Sequence, residues 1–255
     1  MNKTKIEYLT HTWNPIAMRC TPVSDACENC WHLATCGRLK KNPKIDREIR
    51  AIYAGDMPPA LIKYRLDSPL KKKKPSIIGV QFMGDIFHER IWPVYLLDIM
   101  KTIRECPQHV FLILTKRPHR ILPSFKFPDN VWLGVTVENQ KTADGRIPIL
   151  LQIPAKVRFV SVEPMLSPVD ISKYLGIAHA DDIDNLNYGE HGPWRDGINW
   201  VICGSETGSK ARPMKLNWAI DLKNQCRAAN VPFFFKTASK GDTVPDELMI
   251  REFPR

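Results

Sequence analysis

Apolar residues along this chain gather into short, nearly continuous runs: Ile77-Ile78-Gly79-Val80-Gln81-Phe82, Val110-Phe111-Leu112-Ile113-Leu114, Val131-Trp132-Leu133-Gly134-Val135-Thr136-Val137, Val157-Arg158-Phe159-Val160-Ser161-Val162, Trp200-Val201-Ile202-Cys203 and Val231-Pro232-Phe233-Phe234-Phe235. Runs of this length, without strict alternation of polar residues, predict strands buried on both faces of a parallel sheet. The stretches between them are long enough for crossovers. Pro93 to Glu105, with Val94, Leu97, Ile99, Met100 and Ile103, carries a helical stripe, as does Trp218 to Ala229 through Ile220, Leu222 and Cys226. Both predict helices that pack an apolar face on the sheet.

With Thr12-Trp13 as a first short strand, the pattern makes about six or seven β/α units, fewer than the eight of a closed barrel. The predicted fold is α/β, a partial or open (β/α)6-type barrel with an additional C-terminal strand. A doubly wound open sheet is the alternative. Two stretches break the rhythm: residues 38–76, helical at first and ending in Lys71-Lys72-Lys73-Lys74-Pro75, and residues 176–197, rich in Asp, Gly, His and Asn. Both read as loop insertions within a single domain covering residues 1–255.

Polar residues recur just after the strands: Met83-Gly84-Asp85, Thr115-Lys116-Arg117-Pro118, Glu138-Asn139-Gln140, Glu163-Pro164, Gly204-Ser205-Glu206-Thr207-Gly208 and Lys236. In a parallel barrel these ends share one face, so the expectation is that they converge on an active site there. Any one of them alone is an ordinary solvated strand end.

Composition narrows the setting. The chain has 255 residues, 44% of them apolar, which supports a substantial core. No apolar run approaches the roughly 20 residues of a membrane span, and the amino-terminal residues lack the apolar stretch of a signal peptide. A cytoplasmic protein with no membrane partner is expected. Lys and Arg outnumber Asp and Glu by 37 to 27, a net charge of +10 with a pI near 9.3. This balance favours polyanionic partners such as nucleic acid over neutral ones, a basic solvated surface being the bland alternative.

The seven cysteines do not resemble an evenly spaced disulfide framework. Cys20, Cys27 and Cys30 form a C-x6-C-x2-C cluster after Thr12-Trp13-Asn14-Pro15, a grouping more suited to metal than to core filling. Two centres are compatible with it: structural zinc on Cys20, Cys27, Cys30 and Cys36, or an iron–sulfur cluster on the first three. Cys36 lies roughly six residues into what reads as a helix beginning near Trp31, about 9 Å along its axis, and is left out of the ligand set. Cys106, Cys203 and Cys226 sit in apolar surroundings and read as core thiols.

The ordered set Thr12-Trp13-Asn14-Pro15, Cys20-x6-Cys27-x2-Cys30, Met83-Gly84-Asp85-Ile86-Phe87-His88, Leu114-Thr115-Lys116-Arg117-Pro118, Trp132-Leu133-Gly134-Val135-Thr136-Val137-Glu138, Arg158-Phe159-Val160-Ser161-Val162-Glu163-Pro164 and Pro232-Phe233-Phe234-Phe235-Lys236 resembles the phage and prophage three-cysteine family related to radical S-adenosylmethionine (SAM) enzymes. The resemblance spans Ile6 to about Lys236. It implies a radical-SAM-like barrel and a 4Fe-4S cluster on Cys20, Cys27 and Cys30. It further implies SAM on the fourth iron, cleaved after one-electron reduction to methionine and a 5'-deoxyadenosyl radical. Carried over by position, Met83, Gly84 and Asp85 would bind the SAM amino group and Lys116 its carboxylate. Glu138 and Ser161 would reach the ribose or methionine portion, and Gly204 would border the adenine. The chain departs from the usual C-x3-C-x2-C spacing, and Asn29 stands where an aromatic is usual, so Trp31 is the candidate to cover the adenine. Gly204-Ser205-Glu206-Thr207 replaces the usual Gly-Gly-Glu-Ser-like segment.

Further candidates are Lys71 to Lys74 as phosphate contacts or a solvated loop, and His88 and Glu89 as substrate or SAM contacts. Tyr188 and Trp194 are candidates for base stacking or loop anchoring, and Arg212 and Lys215 for lining the same face. The resemblance implies lyase- or isomerase-type radical chemistry on a nucleic-acid base or base-derived adduct. Its setting would be phage DNA modification, thymine side-chain isomerisation being one version, or repair. DNA or a modified nucleotide, an electron donor such as flavodoxin or ferredoxin, and the cytoplasm of a bacterial host complete the picture. The alternatives are a zinc-stabilised nucleic-acid-binding protein without catalysis, and a radical SAM enzyme acting on a small molecule or peptide.

Overall fold

A computed structural model of the chain describes residues 1–176 and 197–254. The strands are β1 (Asn2–Lys3), β2 (His11–Trp13), β3 (Ile16–Ala17), β4 (Ala60–Leu61), β5 (Ile77–Val80), β6 (Val110–Thr115), β7 (Val131–Thr136), β8 (Val157–Val162), β9 (Trp200–Gly204) and β10 (Phe233–Thr237). The helices are α1 (Trp31–Leu39), α2 (Arg47–Ala54), α3 (Lys63–Leu66), α4 (Pro93–Arg104), α5 (Gln140–Leu151) and α6 (Leu216–Ala228). Eight strands form one sheet in the order β1-β2-β5-β6-β7-β8-β9-β10, and β3 pairs with β4 separately. Neighbours in the large sheet follow chain order, without the reversal that marks a doubly wound sheet. β2, β5 and β6 pair in parallel, as do β8, β9 and β10, while β1 adds an antiparallel edge. The chain divides into two compact units, Met1–Ile121 with Lys126–Trp132, and Leu122–Phe125 with Leu133–Arg255.

In the first unit the core of the sheet is Trp13, Ile78, Val80, Phe111, Leu112 and Ile113, all at most 1% exposed. Trp13 meets its one polar obligation by donating its indole N–H to the Arg65 carbonyl at 2.7 Å. β5 stops at Val80 because Gln81 adopts φ 54°, a left-handed backbone that ends the ladder. The predicted insertion at 38–76 is an ordered structure rather than a plain loop. The Asp46 carboxylate caps α2 by accepting the Glu48 and Ile49 N–H groups, and Gly55 at φ 96° closes its other end. The insertion then returns through β4 to pair with β3, close in sequence to the cysteines. Ala17, Cys36, Ile52 and Tyr53 form a small core there, flanked by Leu39, Ile49, Ala60, Ile62 and Met83. On α4 the buried face is Ile99, Met100, Thr102 and Ile103; Val94 and Leu97, expected in the packing stripe, are more than half exposed.

In the second unit every residue of β8 and β9 is buried, Arg158 and Ser161 of β8 included. Gly134 in β7 lies against the Phe159 ring, where a Cβ would come within 2.5 Å. The fully buried Trp200 donates its indole N–H to the Glu252 carbonyl at 2.8 Å and stacks on Phe253. β10 begins at Phe233, two residues later than the apolar run, which places Lys236 within the strand instead of after it. The helix α5 follows a capping box in which the Asn139 side chain accepts the Thr142 N–H and Thr142 Oγ1 accepts the Asn139 N–H. The proposed insertion at 176–197, with Tyr188 and Trp194, falls outside the described residues but for its two ends.

Candidate functional site

In the first unit, the cysteine loop leaves β3 and is tied to the turn after β5 by residues of both. Asn14 Oδ1 accepts the Met83 N–H at 2.8 Å. The Gln81 amide accepts the Ile16 N–H and donates to the Ile16 and Met83 carbonyls, at 2.9 to 3.0 Å. Gly84, at φ 126°, brings the turn against Met18 so closely that a Cβ would lie 2.4 Å from the Met18 sulfur. A side chain is disfavoured there twice, by backbone conformation and by the Met18 side chain it would have to displace.

Cys20 and Thr21 are then held from three sides. The Cys20 N–H donates to His32 Nε2 at 3.3 Å. Thr21 presents its N–H and hydroxyl to His88 Nε2, at 3.2 and 2.9 Å. Arg117, 1% exposed, supplies the third side: Nη2 donates to the Thr21 carbonyl and hydroxyl at 3.0 Å, and Nη1 lies 3.7 Å from Cys20 Sγ. Its charge is balanced by Asp85 at 3.3 Å and Glu89 at 2.8 Å. Burial depresses both histidines, His32 to about 4, so each is a neutral ring able to accept a backbone N–H. Burial pushes the Cys20 thiol up to about 11, and the Arg117 guanidinium pulls the other way.

Asp85, expected at the SAM amino group, has both carboxylate oxygens engaged within the protein. They accept from the Phe87 N–H, the Thr115 hydroxyl, the Lys116 N–H and Arg117. Its role in the structure is to join the Met83-Gly84 turn to the end of β6. Lys116 is half-buried, and its backbone makes that bond to Asp85. His88 and Glu89, the candidates for substrate or SAM contacts, bond Thr21 and Arg117 respectively.

Cys27 closes a 3-10 turn and is buried, Cys30 is the N-cap residue of α1, and Trp31 begins that helix half exposed, edge-on to His32. All seven cysteines are free thiols. Cys36 is fully buried in the insertion's core, its Sγ 3.5 Å from His32 and 3.7 Å from the Met18 carbonyl. Among the described residues, no three or more His, Cys, Asp or Glu are already arranged to hold a metal ion. The donor set of the loop nevertheless fits thiolate ligation, with three free thiols and a guanidinium beside one of them. Thiol ligands commonly close around a metal as it binds.

In the second unit, Glu138 and Gly204 are linked through one short loop, and Ser161 bonds the residue before Glu138. The Leu166 N–H donates to the Glu138 carbonyl, the Met165 N–H to the Gly204 carbonyl, and the Val137 N–H to the Ser161 carbonyl. Glu138 is fully buried, with Oε2 on Arg146 at 2.8 Å and Oε1 without a hydrogen-bond partner. A dehydrated carboxylate oxygen of this kind costs on the order of 1–3 kcal/mol unless a donor reaches it. Gly204 leaves room for the Glu163–Lys236 ion pair, since a Cβ there would meet the Glu163 side chain at 3.4 Å and Thr237 at 3.5 Å. Arg212 clasps Glu206 through Nε at 2.9 Å, Nη2 at 2.6 Å and its backbone N–H at 2.8 Å. Lys215 lies over the Trp218 ring.

Lys71 to Lys74 precede β5, whereas Met83 to Asp85 follow it, so in the first unit the lysines lie at the opposite end of that strand from the cysteine network. The residues that sequence reasoning passes over are Gln81, Asn14, His32 and Arg117 as partners of the cysteine loop. The Leu-Thr-Lys-Arg-Pro motif marks Arg117, but its partner lies 96 residues away.

No curated protein and no solved structure matches the chain. A family model described as Protein of unknown function (DUF5131) matches residues 3–250, and the chain belongs to that family.

Proposed function

We propose that the chain is a radical SAM enzyme in which Cys20, Cys27 and Cys30 hold a 4Fe-4S cluster. Its substrate is a nucleic-acid base or base-derived adduct in phage DNA modification, thymine side-chain isomerisation being one form, or in repair. The observation that carries the reading is the loop of three free thiols whose first member, Cys20, is fixed by His32, His88 and Arg117 next to the strand-end turn Met83-Gly84-Asp85. When bound and reduced, such a cluster supplies the electron that splits SAM into methionine and a 5'-deoxyadenosyl radical.

The protein's own residues supply position and exclusion of water. His32 and His88 hold the Cys20–Thr21 backbone, so one ligand is set before the metal arrives. The Met83-Gly84 turn offers backbone groups at the end of β5, and Lys116 offers a cation at the end of β6. Trp31, exposed beside Cys30, is the candidate cover for a bound adenine. Sequential strand order is what a partial (β/α)6-type barrel requires. The charge of +10 supports a polyanionic substrate over a small neutral one. A zinc site on four cysteines would need Cys36, whose thiol is committed to the core around Ile52 and Tyr53. A flavodoxin- or ferredoxin-type donor in a bacterial cytoplasm would deliver the electron.

Anaerobic reconstitution with iron and sulfide, reduction, and assay for 5'-deoxyadenosine after SAM addition tests the reading. Product is expected, and it should be lost in Cys20→Ala, Cys27→Ala and Cys30→Ala. Stoichiometric zinc with no uptake of iron overturns it.

A further inference from the structure

A buried arginine satisfied by carboxylates alone is a structural ion pair. Arg117 does more than that. Its fork is divided, with Nε on Glu89, Nη2 on the Thr21 carbonyl and hydroxyl, and Nη1 shared between Asp85 and Cys20 Sγ. From its place just after β6, Arg117 thus joins the cysteine loop to the segment after β5. The two carboxylates around it differ: Asp85 is 7% exposed and fully engaged, while Glu89 is 47% exposed and bonded to Arg117 through one oxygen. The local charge at Cys20 therefore depends on how far Glu89 offsets the guanidinium.

We propose that Arg117 is a positioning residue that fixes Cys20 and, by donating toward its sulfur, sets the reduction potential of the centre that Cys20 ligates, with Glu89 moderating its charge. The inference rests on the cluster reading above. Hydrogen bonds to ligand sulfur and nearby positive charge stabilise the reduced, more negative state of an iron–sulfur centre and so raise its potential. A purely structural arginine would give no such dependence on Glu89. The geometry assigns the two residues opposite effects. Removing Arg117 lowers the potential, and neutralising Glu89 raises it, since Gln still accepts from Nε while no longer offsetting the charge.

The test is a potentiometric titration of the reconstituted wild type, Arg117→Gln and Glu89→Gln, followed by the optical and paramagnetic signals of the cluster. It is paired with hydrogen exchange of the metal-free proteins. At a fixed solution potential near the wild-type midpoint, the ratio of reduced to oxidised cluster is expected to fall at least fivefold in Arg117→Gln and to rise in Glu89→Gln. In the metal-free Arg117→Gln protein the amides of Cys20 and Thr21 are expected to exchange at least tenfold faster, with β5 and β6 unchanged. Equal potentials in wild type and Glu89→Gln, or unchanged exchange at Cys20 and Thr21 in Arg117→Gln, overturn the inference while leaving the cluster reading intact. Glu89→Gln alters a half-exposed side chain and keeps the test valid if Arg117→Gln does not load. A wild type that takes up no iron and sulfide overturns both.

Discussion

The side chain of Gln81 pairs with the backbone of Ile16 as a neighbouring strand would: Oε1 accepts the Ile16 N–H at 3.0 Å and Nε2 donates to the Ile16 carbonyl at 3.0 Å. Gln81 has left the strand at φ 54°, an uncommon conformation for a residue with a side chain. What holds it there is that the same amide also reaches the Met83 carbonyl, while its own N–H donates to Trp13 at 2.7 Å. One residue thus fixes the start of the cysteine loop and the turn after β5 relative to each other.

Gln81→Ala is expected to lower stability by about 2–4 kcal/mol, because the buried Ile16 N–H and carbonyl lose their partner with no water to replace it, and the half-buried Met83 carbonyl loses its own. Gln81→Asn tolerates the backbone but is one methylene too short, and should lose nearly as much. Urea unfolding checks this: the midpoint should fall with no change in slope.

Gly84→Ala meets both a strained backbone at φ 126° and the Met18 sulfur at 2.4 Å. Met18 can move, but the backbone conformation cannot become favourable. A loss of about 1–3 kcal/mol is expected. In a Met18→Ala background, which carries its own cavity cost, Gly84→Ala should lose only the backbone part. No cost of Gly84→Ala in that background would show that backbone conformation contributes nothing there.

Thiol alkylation of the native, metal-free protein should separate the cysteines. Burial pushes Cys226 up to about 12 and also raises Cys106 and Cys203, so these should stay unmodified at pH 8 until the protein is unfolded. Cys20, pushed up to about 11 by burial, is mostly thiol at that pH and should react slowly although it is not fully buried. Half-buried Cys30 should be labelled first. Rates should climb with pH for Cys20 as its thiolate fraction rises, and peptide mapping after timed quenching reads each site. Labelling of Cys226 before Cys30 would contradict this ordering.

Most of the sheet is legible in the chain because strands buried on both faces are largely apolar, and β6 and β8 follow their runs to within a residue. β10 starts late because Val231-Pro232 continues the apolar run before the strand pairing begins. α5 is hidden by Gly145 and Pro148, which weaken a helical reading, although Asn139 and Thr142 carry a cap signal ahead of them. The three cysteines stand out by spacing alone. Their supports do not, because His88 and Arg117 meet Thr21 across 67 and 96 residues, a distance at which no local periodicity connects them. The same limit explains Asp85, Glu89 and His88: each motif residue is visible, but whether it faces a ligand or another motif depends on the fold.

The four lysines at 71–74 give the last prediction. They precede β5 while the Met83-Gly84-Asp85 turn follows it, a separation of about 13 Å along the strand alone at its usual rise. The Gln108 side chain donates to the Lys72 carbonyl at 3.1 Å, which fixes the backbone of the run and leaves Lys71, Lys73 and Lys74 exposed. If they contact phosphates, changing all four to Gln should weaken DNA binding and reduce the slope of log affinity against log salt by about 0.9 for each lost contact. On the radical SAM reading proposed above, substrate-free formation of 5'-deoxyadenosine should be unchanged, because the cysteine network lies at the other end of β5. A fall in that activity with DNA affinity intact would place the lysines in the support of the cysteine loop. Loss of neither would make them a solvated turn whose charge only adds to solubility.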